Sequence, residues 1–269
     1  MSGLHRVIRC CAVVVLVGLS GCGSREPTTK GAPPTVRLLT ESQYRNIIAD
    51  VFGRQIEVAG RFDPVVRTEG LLAVGAGLAT VTPSGVERYV ALARSIAQQV
   101  VAAQNRDSLL PCKPTDPQQA DQKCASEFLT RTGRLLFRRA LSATEIAAAS
   151  DLATTGAHEQ HDFYAGLALG LQSLLAAPDF LFVTETVRDD PRSKTVQLDG
   201  LSRASRLAFF LWNSMPDENL LQAAERGELD SAAGVGRQVE RMLDSPRLES
   251  GVRAMFTDLW ALDDFATLE

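Results

Sequence analysis

From Arg37 onward the apolar residues of this 269-residue chain recur three and four apart almost everywhere, and no run alternates Val, Ile or Thr with polar residues. A repeat near 3.6 lets a helix bury one stripe, whereas a half-buried strand needs a repeat of two. The spacing therefore predicts an all-α fold, a multi-helix bundle of roughly eight to ten helices with no substantial sheet. Thr40 and Gln43 are spaced as a capping box, with Tyr44, Ile47, Ile48, Val51 and Phe52 on one face before Gly53. Residues 54–81, with Gly70, Gly75 and Gly77, read as a loop holding at most a short element. Thr82-Pro83 opens a long helix marked by Tyr89, Ala93, Ile96 and Val100.

Further along, Cys124, Phe128, Leu135 and Leu136 predict a helix ending near Arg138. Ser142 and Glu145 form a second capping box, and Gly156 is the expected stop of that helix. Leu167, Leu171, Leu174 and Leu175 mark another, which Pro178 breaks or kinks, with a short helical turn over 179–185. Leu201 to Trp212, a helix capped by Asp217 and ending at Gly227, Val235 to Leu243, and Leu248 to Trp260 complete the series. The hydrophilic stretch Arg188 to Lys194 is the candidate boundary between a segment at 38–187 and one at 195–269.

The N-terminus reads differently. Arg6 and Arg9 precede about ten apolar residues, half of what a membrane-spanning helix needs, and small residues follow. That is the layout of a secretory signal over residues 1–21. Leu19-Ser20-Gly21-Cys22 resembles a bacterial lipobox, in which the cysteine thiol takes a diacylglycerol and becomes the first mature residue. Cys22 is thus the expected lipidation site and membrane anchor, since acyl chains contribute about 0.8 kcal/mol per buried CH₂. An ordinary cleaved signal with an incidental cysteine is the alternative. Gly23 rather than Asp follows, so inner-membrane retention is not signalled and the outer membrane is the expected address in a host with two membranes. Residues 22–37, with Pro27, Pro33 and Pro34, read as a flexible tether.

Export fixes the meaning of the five cysteines. Cys10 and Cys11 leave with the signal and Cys22 is acylated. Cys112 and Cys124, flanking a polar loop with Pro114 and Pro117, read as a disulfide in an oxidising compartment. Zinc or haem ligation is the alternative, although the chain has no Cys-x-x-Cys. Loss of the signal also leaves 26 Lys+Arg against 32 Asp+Glu, a formal charge of −6. That balance argues against a nucleic-acid partner.

Chemical motifs are sparse. Gly75-Ala76-Gly77 lacks the preceding strand and acidic partner of a dinucleotide loop and reads as a packing or loop element. His158 and His161 are spaced to share a helix face, yet they follow Gly156, where a solvated turn is expected, and lack a third ligand nearby. Arg138-Arg139 at a helix end reads as helix termination with ion pairing, or alternatively as an anion site. Asp50, Asp179, Glu185 and Asp217 fall at caps and helix ends, so spacing alone selects no general acid and base. No catalytic residue, metal site or cofactor site is identified in this chain.

Four strings carry a resemblance. The first is Leu39-Thr40-Glu41-Ser42-Gln43-Tyr44-Arg45-Asn46 through Asp50 and Gly53. The second runs from Cys124 and Phe128-Leu129 to Phe137-Arg138-Arg139-Ala140-Leu141 and Glu145, and the third is Ala177-Pro178-Asp179-Phe180-Leu181. The fourth joins Ser202 to Leu207, Leu211-Trp212, Met215-Pro216-Asp217, Gly227 and Arg241-Met242-Leu243. Together they resemble the bacterial domains of unknown function 1587, 1595 and 1592, found in secreted proteins of planctomycetes and myxobacteria, over nearly all of 38–262. Proline usually stands where this chain has Ala140.

The resemblance implies that longer relatives continue into domains with a Cys-x-x-Cys-His haem motif, so the chain is expected to be truncated within the 1592 domain. The leading expectation is a lipid-anchored cell-envelope protein, a helical scaffold or interaction module with an unidentified protein or polysaccharide partner. The alternatives are part of a surface redox enzyme whose c-type haem lies in a missing portion, and a hydrolase or polymer-binding protein in which Asp179, Asp217 or Arg138-Arg139 lines a cleft.

Overall fold

Eight of the twelve helices described in the computed structural model start where a short polar side chain takes a free N–H group. The model describes residues 34–190 and 195–262. The signal at 1–21, the lipidation site Cys22 and the tether as far as residue 33 lie outside the described residues. So do 191–194 of the polar stretch and 263–269 at the C-terminus.

The chain enters through β1 (Val36–Leu38) and passes into α1 (Glu41–Phe52), whose Thr40–Gln43 capping box is present. A loop with one short turn, α2 (Leu72–Gly75), leads to α3 (Pro83–Val101), capped by Thr82 with proline in its first turn. The backbone turns out of the helix at Ala102 and re-enters it as α4 (Ala103–Leu109). Next come α5 (Gln122–Phe137), capped by Asp121, and α6 (Ala143–Gln160), capped by the Ser142–Glu145 box. α7 (Phe163–Leu175) and the turn α8 (Pro178–Leu181) lead into β2 (Phe182–Thr184). A hairpin of β3 (Val187–Asp190) and β4 (Thr195–Leu198) precedes α9 (Gly200–Trp212) and α10 (Glu218–Glu225). A 3₁₀ turn at Glu228–Asp230, α11 (Ala232–Leu243) and α12 (Leu248–Leu259) follow.

The fold is all-α, with twelve α-helices among the described residues instead of eight to ten. The additional ones are α2 and α4, of four and seven residues, too short to show a period. Two antiparallel two-stranded sheets are present, β1 with β2 (Leu38 opposite Phe182) and β3 with β4 (Val187 opposite Leu198). Three- and four-residue strands carry no readable alternation. Val36 and Arg37, read as tether, belong to β1. The polar stretch from Arg188 contributes Arg188 to Asp190 to the β3–β4 hairpin.

Gly156 does not end its helix. α6 continues to Gln160 and stops at His161, which takes the left-handed conformation at φ 50°. Gly156 lies where α7 crosses, and a Cβ there would come within 2.5 Å of Leu169 Cδ1 and 3.2 Å of Gly166 Cα. The glycine serves helix–helix approach and costs about 1 kcal/mol of helix propensity.

Two hydrophobic clusters form. The larger joins α1, α3, α5, α6, α7 and α8 around Tyr44, Ile48, Ile96, Phe128, Leu171 and Phe180. The smaller gathers Ala204, Ala208, Trp212, Leu220, Leu229 and Met242 from α9, α10, the 3₁₀ turn and α11. Cys112 and Cys124 lie at disulfide distance, with sulfurs 2.01 Å apart. The loop they close is pinned to the start of α7, where the Phe163 N–H donates to Pro117 O at 2.8 Å. No helix among the described residues is long and apolar enough to cross a membrane.

Candidate functional site

The charged residues singled out in the sequence fall into separate junctions. Arg138 closes α5 in the left-handed region at φ 59°, and this turns its side chain inward. Its guanidinium is buried and donates to four backbone carbonyls: Leu136 at 2.8 Å, Phe180 at 3.3 Å, Asp179 at 2.6 Å and Phe182 at 2.8 Å. Burial first, then the nearby Arg37 charge, push it below the ordinary arginine value, to about 9. With four acceptors around it, it is a cationic cap for the α8–β2 segment and not an anion receptor.

Arg139 points the other way. It grips Glu145 with two bonds of 2.7 and 2.9 Å and meets Asp179 at 2.5 Å. The hydrogen bonds from Arg139 hold the Glu145 carboxyl down at about 2, against the opposing effect of burial. Glu145 also closes the capping box of α6, so Arg139, just past the end of α5, ties the starts of α6 and α8 together. Glu185 accepts from Arg206 at 2.5 and 2.7 Å and from the Thr35 N–H at 2.8 Å. Burial works to raise this carboxyl, and those hydrogen bonds outweigh it, leaving it below the usual range.

Asp50 and Asp217 each pair with an arginine that lies near the Trp212 ring. Asp217 caps α10 and accepts two bonds from Arg241, at 2.7 and 3.0 Å. Asp50 pairs with Arg247 at 2.5 Å and accepts from Ser214 Oγ at 2.6 Å. Arg247 stacks over the Trp212 ring at 4.1 Å and Arg241 lies 5.7 Å from it, while the indole N–H donates to Met242 O at 3.0 Å. Desolvation lowers the Arg247 guanidinium, against the pull of Asp50. Ser42, Asn46 and Asp50, successive turns of α1, all reach the Asn213–Ser214 corner that ends α9.

The four quoted strings therefore meet at two structural seams, at Arg138–Asp179 and at Trp212. Arg247 and Arg134 were missed. Arg134 on α5 donates to Glu218 at 3.0 Å and Glu225 at 2.7 Å on α10, and nothing in local spacing announces a partner 84 or 91 residues away. The carboxylates are not brought into one cleft with the arginine pair. Each is held by its own arginine.

A cleft of about 430 Å³ does gather His158, His161, Asp116, Gln118 and Gln119. His158 sits in the last turn of α6 and His161 is its cap, so both face the disulfide-closed loop. Within that loop Asp116 accepts from the Gln118 N–H and Gln119 Nε2, both at 2.9 Å. Among the described residues no group of three or more His, Cys, Asp or Glu is placed to hold a metal ion. Gly75 has a packing role: a Cβ there would sit 1.8 Å from Val66 O.

Exposed apolar side chains gather elsewhere, along α12 and its C-cap Trp260, while Phe210 of α9 stands exposed by itself. Phe256 and Trp260 stack at 4.7 Å between ring centroids, and Leu259 and Trp260 are 60% and 59% exposed.

Three family models match the chain in sequence order. They are PSD3: Protein of unknown function (DUF1587) at residues 37–102, PSD5: Protein of unknown function (DUF1595) at 124–185, and PSD4: Protein of unknown function (DUF1592) at 198–269. No curated protein and no solved structure matches the chain.

Proposed function

For this chain, which carries successive matches to the DUF1587, DUF1595 and DUF1592 models of unknown function, we propose the role of a lipid-anchored interaction module of the cell envelope. The observation that carries the reading is the exposed apolar face of α12 with its stacked Phe256 and Trp260. Contiguous exposed apolar area on a soluble domain marks a contact surface, whereas scattered single residues do not. The candidate acid, base and cation side chains are meanwhile held in junctions that build the fold.

The anchor is the Cys22 thiol of the Leu19-Ser20-Gly21-Cys22 string, which places the module at a membrane surface, the outer one where the host has two. A bridge between Cys112 and Cys124 suits an exported protein. The test is fractionation of the native protein against a Cys22→Ala variant, with labelled palmitate supplied to the host. The expected result is membrane-bound, labelled wild type and an unlabelled variant that leaves the membrane fraction. A variant that stays membrane-bound and labelled overturns the anchor.

A further inference from the structure

We infer that the apolar surface formed by α12 and the α2 loop is a second membrane contact, lying on the bilayer that holds the acylated Cys22. This rests on the acylation proposed above and deepens it by naming what the exposed face touches.

Val252, Met255, Phe256, Leu259 and Trp260 fall along one side of α12, each more than a third exposed. Gly251, one helical turn before Met255, lies at the docked edge of the helix, so close to α9 that a Cβ would lie 2.0 Å from Leu211 O. The helix is thus docked by one side and bare on the other. Asp258 fixes its neighbour: its carboxylate accepts from Arg67 at 2.5 Å and from the Leu72 N–H at 2.7 Å, so α12 holds the first turn of α2. That loop is itself apolar and open, with Val66 77%, Leu78 71% and Val74 40% exposed.

The entry of the chain is tied to the same place. The Leu38 N–H of β1 donates to Ala76 O at 3.0 Å, directly after α2, and Val36 at the head of the strand is exposed. The polypeptide running from Cys22 therefore joins the fold beside the apolar surface. Pro34 lies twelve positions after Cys22, which limits the reach to about 40 Å. A tether that enters the fold at its apolar side lets that side lie on the lipid.

The chemistry of the surface also fits a bilayer boundary. Trp and Phe together with Leu and Met are the side chains that settle at the headgroup level, the indole N–H meeting water while the ring meets acyl chains.

The chain contains two tryptophans, and the second, Trp212, is buried. Native acylated protein is reconstituted into phosphatidylethanolamine–phosphatidylglycerol vesicles in which part of the lipid carries brominated acyl chains, alongside Trp260→Phe and Leu259→Lys. Flotation reads the anchor, and bromine quenching reads the face. The expected result is loss of the emission that Trp260→Phe lacks, with Trp212 emission unchanged, and weaker quenching in Leu259→Lys. Near-ultraviolet circular dichroism of Trp212 confirms that the variants are folded.

Protein that floats but keeps its Trp260 emission overturns the second contact and leaves the anchor standing. Emission that instead shifts with protein concentration, without bromine quenching, overturns it in favour of a second copy on the face. Protein that neither floats nor carries acyl label overturns the anchor, and the second contact falls with it.

Discussion

Arg138 shows how a single residue can look functional and prove architectural. Its guanidinium answers four carbonyls, three of them in the Asp179–Phe182 segment, where the chain leaves α8 for β2 and has few N–H partners to offer. Arg138→Met would keep the bulk and strand those buried acceptors, each worth about 1–3 kcal/mol. The expected cost is about 3 kcal/mol or more, read as a fall in the urea midpoint. Arg138→Lys should recover only part, because an ammonium carries three donors and no planar fork. An anion-binding role would instead leave stability unchanged.

Glu145 makes the pH prediction at the same scale. Its carboxyl is held at about 2 in the folded chain against an ordinary 4.5. A depressed carboxyl contributes stability that is complete above the unfolded value and is lost as pH falls through the folded one. Stability should thus be level above pH ~4.5 and decline below it toward ~2, and Glu145→Gln should make the decline shallower. Because Arg139 and Glu145 are both about a third exposed, solvent screening keeps the change small, on the order of 1 kcal/mol. A urea midpoint that does not respond to Glu145→Gln across that range would contradict the assignment.

The elements were legible in the sequence where local chemistry decides them. Thr40–Gln43 and Ser142–Glu145 start helices because a hydroxyl and a side chain three residues later satisfy free N–H groups, with no help from distant chain. The cysteine pair was readable because Cys112 and Cys124 flank one polar loop, close enough in the chain for the two ends to meet. Illegible elements are those that distant partners create. β1 pairs with Phe182–Thr184, and the need for glycine at 156 comes from α7 packing on it. The seams at Arg138 and Trp212 join residues dozens of positions apart, so their strings could be recognised while their roles could not.

At the element scale the cysteine loop gives a direct test. Removing both thiols, as Cys112→Ser with Cys124→Ser, is expected to cost about 2–3 kcal/mol by freeing the unfolded chain. The Phe163 N–H contact to Pro117 should then protect less, measured as faster amide exchange at the start of α7. His158 and His161 share their cleft with this loop, so their ring resonances should shift in the same variant. Unchanged resonances would mean that the loop holds its place without the bridge.

Across the whole molecule, two apolar clusters share α9, whose Phe209 packs in the larger one, and polar and charged side chains form the rest of their seam. Arg247 spans the seam: it pairs with Asp50 on α1, donates to Met215 O at 2.8 Å and lies on the Trp212 ring of the smaller cluster. Arg134 with Glu218 and Glu225, and the Asn46 and Asn213 amides, add further ties. A seam of this kind transmits cooperativity less strongly than shared apolar packing, because each ion pair repays much of its gain in desolvation. The smaller cluster, with seven fully buried apolar residues against the larger cluster's thirty-four, should open first. Trp212 lies inside it, so in a Trp260→Phe background its emission should change at lower urea than the far-ultraviolet signal of the whole chain. Arg247→Ala removes one partner of a partly buried pair and should cost about 2–4 kcal/mol at the seam. It should therefore widen the gap by lowering the Trp212 midpoint while the later, larger transition stays in place. Coincident transitions in both proteins would mean that the arginine seam couples the clusters as tightly as a common core.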